Sequence, residues 1–361
     1  MARIGDTYGM GRMRRRTERA PTMPAYAAVD LGTNNCRLLA ARPMGQSLRV
    51  VDSFSRIVRL GEGLSANGTL NDEAIERTVV ALRICAAKIR RLSAYRVRNV
   101  ATEACRRAAN CAGFLARVEE ETGLSFEPIS PQEEARLTVA GCASLFDGRK
   151  PYVLMFDIGG GSTEITWIAR FKDKPPQILG TRSVGLGVMT IAEQYGTGPL
   201  PEAVKRDISE RIGAELDSLD AAHGISEAAE ARRVQMIGTS GTVTTLGGIF
   251  LDLNRYDRAR VDGLDVPFPA IEQMVERIGG MSEDDRARIP CVGAQRADLM
   301  IAGCTLLDVI RKRWPLGRLR VADRGIREGI LLEMMVLDGA IPALERIPAP
   351  LSSSGAAVSS A

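Results

Sequence analysis

Short apolar runs alternate along the chain with segments in which apolar residues return every third or fourth position. Residues 26–30 and 37–41 read as strands around a polar turn, and 48–60 as one or two more. Within 72–92, Ile75, Val79, Leu82, Ala86 and Ile89 share one helical face, and Asn71 is placed to cap the first turn. A strand at 96–101, a helix at 103–122 closed by Gly123, a strand at 125–129, a helix at 131–145 and a strand at 152–158 follow. The mixture predicts an α/β fold.

An internal repeat organises the rest. Residues 29–38 (VDLGTNNCRL) align without gaps on 156–165 (FDIGGGSTEI), at a constant offset of 127 residues. Each copy is an apolar strand, an aspartate, a turn of small residues and a second strand. The offset is the length of a domain, which points to a duplicated domain.

Each aspartate, Asp30 and Asp157, ends a buried strand and so stands at the mouth of a cleft. Gly159, Gly160 and Gly161 let the backbone approach a ligand and turn its N–H groups towards it, and Ser162 and Thr163 add hydroxyls. An ordinary glycine-rich hairpin turn has the same composition. A second such loop at Gly32, Thr33 and Asn34, and a third at Gly238, Ser240 and Gly241 between strand 234–237 and helix 243–250, favour phosphate binding. None of the three matches the P-loop or Rossmann spacing.

Ser130 and Glu133 predict a capping box, with Pro131 at the first helical position. Glu134 lies one position further round and is not used by the cap; on the residues alone it reads as an exposed first-turn glutamate favoured by the helix dipole. Arg106 follows strand 96–101 and has the bidentate fork that suits phosphate, although Arg106 and Arg107 equally fit a solvated helix face. Facing aspartates beside phosphate loops suggest Mg²⁺ held by Asp157 and Glu164, with Asp30 as counterpart.

Composition narrows the chemistry. The 361 residues contain one histidine, His223, in a polar stretch that reads as a surface helix end, so histidine-rich metal sites are excluded. Seven cysteines without a CxxC pair point to free thiols and a reducing cytoplasm. No apolar run is long enough to span a membrane. The net charge of +4 is carried by residues 1–20; the remainder holds 42 basic and 42 acidic residues, which argues against a nucleic-acid-binding body.

Taken together, the stretches 28–34, 56–64 (RIVRLGEGL), 101–110, 129–137, 156–165, 238–242 and 323–331 (DRGIREGIL) resemble, in order, the exopolyphosphatase / guanosine pentaphosphate phosphatase family of the actin-like ATPase superfamily. The resemblance implies two actin-like (ribonuclease H-like) α/β domains with the active site between them. Residues 1–24 would be a basic disordered leader, 25–131 domain I (completed by a C-terminal helix at 326–345), 132–325 domain II, and 346–361 a disordered tail. It makes Glu134 the base that activates water and gives Arg106 the phosphate under attack. Asp157 and Glu164 join the magnesium site (Mn²⁺ being the alternative metal), and the loops hold phosphates. The implied reaction removes the terminal phosphate of inorganic polyphosphate or the 5′ γ-phosphate of guanosine pentaphosphate, in a homodimer. Arg324 stands where the family usually has glycine, at the cleft edge. With no long C-terminal helical region in view, the chain is similar to the short, two-domain members, whose action on very long chains is in doubt. A non-catalytic polyphosphate- or nucleotide-binding regulator is the alternative of another class.

Overall fold

The computed structural model describes residues 23–342 together with 347 and 348; the expected leader and tail fall almost entirely outside them. The chain makes two α/β halves. The first sheet contains β1 (Tyr26–Leu31), β2 (Asn35–Met44), β3 (Ser47–Ile57), β4 (Arg96–Ala101) and β5 (Glu127–Pro128), in the order β3-β2-β1-β4-β5. The second contains β6 (Tyr152–Ile158), β7 (Thr163–Ala169), β8 (Gln177–Val184), β9 (Val234–Thr239), β10 (Asp265–Pro267) and β11 (Arg318–Val321), in the order β8-β7-β6-β9-β11-β10. In both, the central strand has an antiparallel hairpin partner on one side and a parallel strand on the other.

The sequence repeat is carried into this geometry. Asp30 lies opposite Arg37 across β1–β2, and Asp157 lies opposite Glu164 across β6–β7, the same register 127 residues later. The two turns even share a hydrogen bond: Gly32 N–H donates to the Asn35 carbonyl, and Gly159 N–H to that of Ser162, each at 2.9 Å.

Strand alternation puts two apolar faces on each sheet. Ala27, Val29 and Leu31 pack on the helices Asp72–Leu92 and Cys111–Thr122. Tyr26 and Ala28 pack instead on Ile330, Leu331 and Met334 of the helix Ile326–Leu337. In the second half, Leu154, Phe156 and Ile158 join the large core, and Val153 and Met155 meet Val139 and Cys142 of the helix Pro131–Cys142. Leu137 of that helix joins the core of the first half. The two inner helices therefore press against each other between the sheets. A Cβ on Gly329 would lie 2.0 Å from the Leu137 carbonyl oxygen, and one on Gly141 would lie 2.1 Å from that of Gly325, so the crossing depends on both glycines.

Several local expectations are corrected. The helix expected over 103–122 is two helices, Glu103–Arg107 and Cys111–Thr122, because the Asn110 side chain bonds both backbone groups of Leu70. The strand expected at 125–129 is only Glu127–Pro128, and the C-terminal helix stops at Leu337, before Gly339 at φ +67°. Ser130 caps its helix, but the Glu133 carboxylate binds Arg98 and Arg136 instead of closing the box. His223 ends the helix Glu202–His223, and all seven cysteines are free and buried.

Candidate active site

Asp157 and Glu164, as cross-strand partners, point to the inner face of their sheet, under the helix Pro131–Cys142. Glu134 comes down from the first turn of that helix. Together with Ala135, Thr138, Met155 and Phe156, these three carboxylates line a cavity of about 10 Å³. Among the described residues there is no group of three or more His, Cys, Asp or Glu at metal-ligating spacing.

The carboxylates disturb one another. Burial pushes Glu134 well above the usual carboxylate range, with Glu164 adding to the rise and Arg106 opposing it. Burial and the charge of Asp157 raise Glu164 to about 7, against the hydroxyls of Ser162 and Ser183. Burial raises Asp157 to about 6, against the pull of Arg37. Ser162 Oγ and Ser183 Oγ both donate to Glu164 Oε1, at 2.6 and 2.8 Å. Arg106 Nη1 donates to Glu134 Oε2 at 2.8 Å and to the Ile129 carbonyl at 2.9 Å, fixing the carboxylate against the end of the preceding segment.

Asp30 comes from the other half of the molecule, and its charge reaches this trio by adding to the rise of Asp157. Its opposite residue is Arg37, which pulls down both Asp30 and Asp157, and Arg327 and Glu328 of the helix Ile326–Leu337 also act on it. The repeat thus carries an opposite-charge pair in the first half and a like-charge pair in the second.

The two small-residue turns face each other. A Cβ on Gly160 would lie 3.0 Å from Asn34 Cβ and 3.2 Å from Thr33 Cβ. The carbonyls of Gly159 and Gly160 are held by the N–H groups of Val188 and Met189, at 3.0 and 2.8 Å. Among the described residues the N–H groups of Thr33, Asn34, Gly160 and Gly161 donate to no protein acceptor, and Asn34 Oδ1 is buried without a partner. Thr163 is buried and its hydroxyl is held by the Leu186 carbonyl.

The third loop is less uniform. Strand β9 runs straight into the helix Ser240–Phe250, with Ser240 at φ +81°. Ser240 and Gly241 join Asn34, Arg37, Gly160 and Arg296 around a second cavity of about 40 Å³. Gly238 is elsewhere: its missing side chain makes room for the Phe156 ring, 2.5 Å from where its Cβ would be. Arg324 does not enter the cleft, because its guanidinium binds Asp262 and Ser144 Oγ. At the outer rim, Arg59 pairs with Asp298 at 2.6 Å and Gly63 N–H donates to Glu193, joining the halves.

Residue-type reasoning missed Arg37, Ser183, Glu103 and Arg296. For Arg37 a signal existed, since the repeat aligns it on Glu164. The other three are brought in by tertiary contact alone.

Known proteins resemble this chain in sequence and fold. The sequence profile of the Ppx/GppA phosphatase family matches residues 40–337. The chain is 31% identical over 328 residues to "Exopolyphosphatase 2" of Mycobacterium tuberculosis, covering 85% of this chain and 98% of the relative. Among solved structures it is similar to the Aquifex aeolicus Ppx/GppA family member, with 27% identity, a TM-score of 0.69, and coverage of 88% of this chain and 99% of that one. An exopolyphosphatase-like protein superposes with a TM-score of 0.76 at 26% identity, covering 86% of this chain and 98% of that one.

Proposed function

The chain belongs to the Ppx/GppA phosphatase family, and from that premise we propose that it is an exopolyphosphatase in which Glu134 activates a water for attack on the terminal phosphate of inorganic polyphosphate. The carrying observation is the cavity of about 10 Å³ between Glu134, Asp157 and Glu164. It has room for about one water, walled by polar groups that could hold it.

Each residue has a part in this reading. Glu134, raised by burial, is a stronger base than an exposed glutamate and takes the proton as water attacks. Arg106 is a positioning residue that aims the carboxylate. The free N–H groups of Thr33, Asn34, Gly160 and Gly161 orient the phosphate. Ser162 and Ser183 fix Glu164 on one of its two oxygens.

The donor set fits a hard divalent cation: a half-buried and a buried carboxylate held face to face, with hydroxyls and no soft ligand. Asp157 and Glu164 would hold Mg²⁺ or Mn²⁺, with Asp30, whose charge adds to the rise of Asp157, as counterpart. When bound, the ion would supply positive charge to the phosphate oxygens. The free, buried thiols support a cytoplasmic setting, and no helix of the described residues is long and apolar enough to cross a membrane.

The test is phosphate release from long polyphosphate, short polyphosphate and guanosine pentaphosphate, with magnesium and with chelator. Magnesium-dependent release from polyphosphate is the expected result. Release from guanosine pentaphosphate alone would replace the substrate, and tight binding without release would make the cleft a sensor.

A further inference from the structure

Glu103 is the first residue of the helix Glu103–Arg107 and is only 7% exposed. Its carboxylate lies inside the phosphate cradle. Oε2 accepts the Thr33 hydroxyl at 3.0 Å, and Oε1 accepts Arg107 Nη1 at 2.8 Å. A Cβ on Gly161 would come within 1.8 Å of Glu103 Oε2 and 3.0 Å of Thr33 Oγ1. The space left by the missing side chain of Gly161, in the second half, is therefore filled by a carboxylate from the first half.

A carboxylate and a phosphate compete for the same donors, and each repels the other in a poorly hydrated site. Building on the polyphosphatase reading, we propose that Glu103 is a resident anion that competes with substrate phosphate for Thr33 and the Gly161 side of the cradle. It thereby selects phosphate whose charge is masked by a divalent cation over the bare polyanion. Displacement has a route. The Arg107 side chain is 41% exposed and can follow the carboxylate outward as their pair leaves the cradle. Glu103 lies outside the cavity shared by Glu134, Asp157 and Glu164, so its charge acts on binding and not on the attacking water.

The test compares wild type with Glu103→Gln, which keeps an acceptor for Thr33 but removes the charge, and with Glu103→Ala. In phosphate release from tripolyphosphate with excess magnesium, KM is expected to fall only about threefold in Glu103→Gln, because the cation masks the charge that Glu103 repels, with kcat within about threefold of wild type. In a Glu134→Gln background with chelator present, calorimetry should show tripolyphosphate binding about tenfold tighter once Glu103 is also neutral. Unchanged or weaker metal-free binding would overturn the proposal. So would a raised KM with a higher magnesium requirement, which would make Glu103 a cation ligand. If wild type releases no phosphate, the hydrolase reading fails and the calorimetric arm still decides the role of Glu103. If Glu103→Ala does not fold, Glu103→Gln carries the test.

Discussion

Asp157 and Glu164 stand directly opposite each other on neighbouring strands, a half-buried and a buried carboxylate of like charge. The corresponding pair in the other half is Asp30 and Arg37, of opposite charge. One register thus carries two charge patterns.

The like-charge pair makes stability depend on pH. Asp157 rises from 3.8 to about 6 on folding and Glu164 from 4.5 to about 7. Raised acids hold protons more tightly in the folded state, so their contribution is full below the unfolded values and is lost as pH climbs through the folded ones. Without divalent cation, the melting temperature should fall between about pH 5 and about pH 8, and less so in Glu164→Gln. Magnesium should raise it near pH 8 and have little effect near pH 5. An equal magnesium shift at both would exclude this pair as the site.

Arg106 opposes the upward shift of Glu134. Arg106→Ala should therefore move the acid limb of the pH–rate profile to higher pH and lower kcat by ~10²-fold. Arg106→Lys keeps the charge and should shift the limb less. A lowered rate with an unmoved limb would leave Arg106 with no hold on the base.

The crossing of the inner helices should tolerate no methyl group. Gly329→Ala drives a carbon against the Leu137 carbonyl and should cost roughly 1–3 kcal/mol or more, seen as a lower denaturant midpoint. Activity should fall with it, because the displaced helix carries Glu134. Gly213→Ala, in open space on the helix Glu202–His223, is the control and should gain about 0.5–1 kcal/mol. Equal behaviour of the two variants would mean that the crossing relaxes freely.

Much of this architecture is local enough to be legible in the chain. The helix Asp72–Leu92 and the strands Arg96–Ala101 and Tyr152–Ile158 match their predicted limits, because apolar spacing and an Asn71 cap suffice to define them. Where the reading fails, a distant partner has intervened. Asn110 breaks a helix to reach Leu70, forty residues away. Glu133 leaves its capping box for Arg98, which lies thirty-five residues upstream. For Glu134, position on the helix left it free for chemistry, but only folding brings Arg106, Asp157 and Glu164 around it. Glu103 lies within a stretch already singled out for Arg106, and nothing in its spacing indicates that it fills the place beside Gly161.

The most direct test of the account is phosphate release from polyphosphate by wild type and by Glu134→Gln, side by side in excess magnesium. Glu134→Gln keeps the shape and a hydrogen-bond acceptor for Arg106 but cannot take a proton, so kcat should collapse by ~10²-fold or more while polyphosphate still binds. A variant that turns over at the wild-type rate would contradict the role of Glu134 as base and, with it, the reading of the small cavity as the seat of the attacking water.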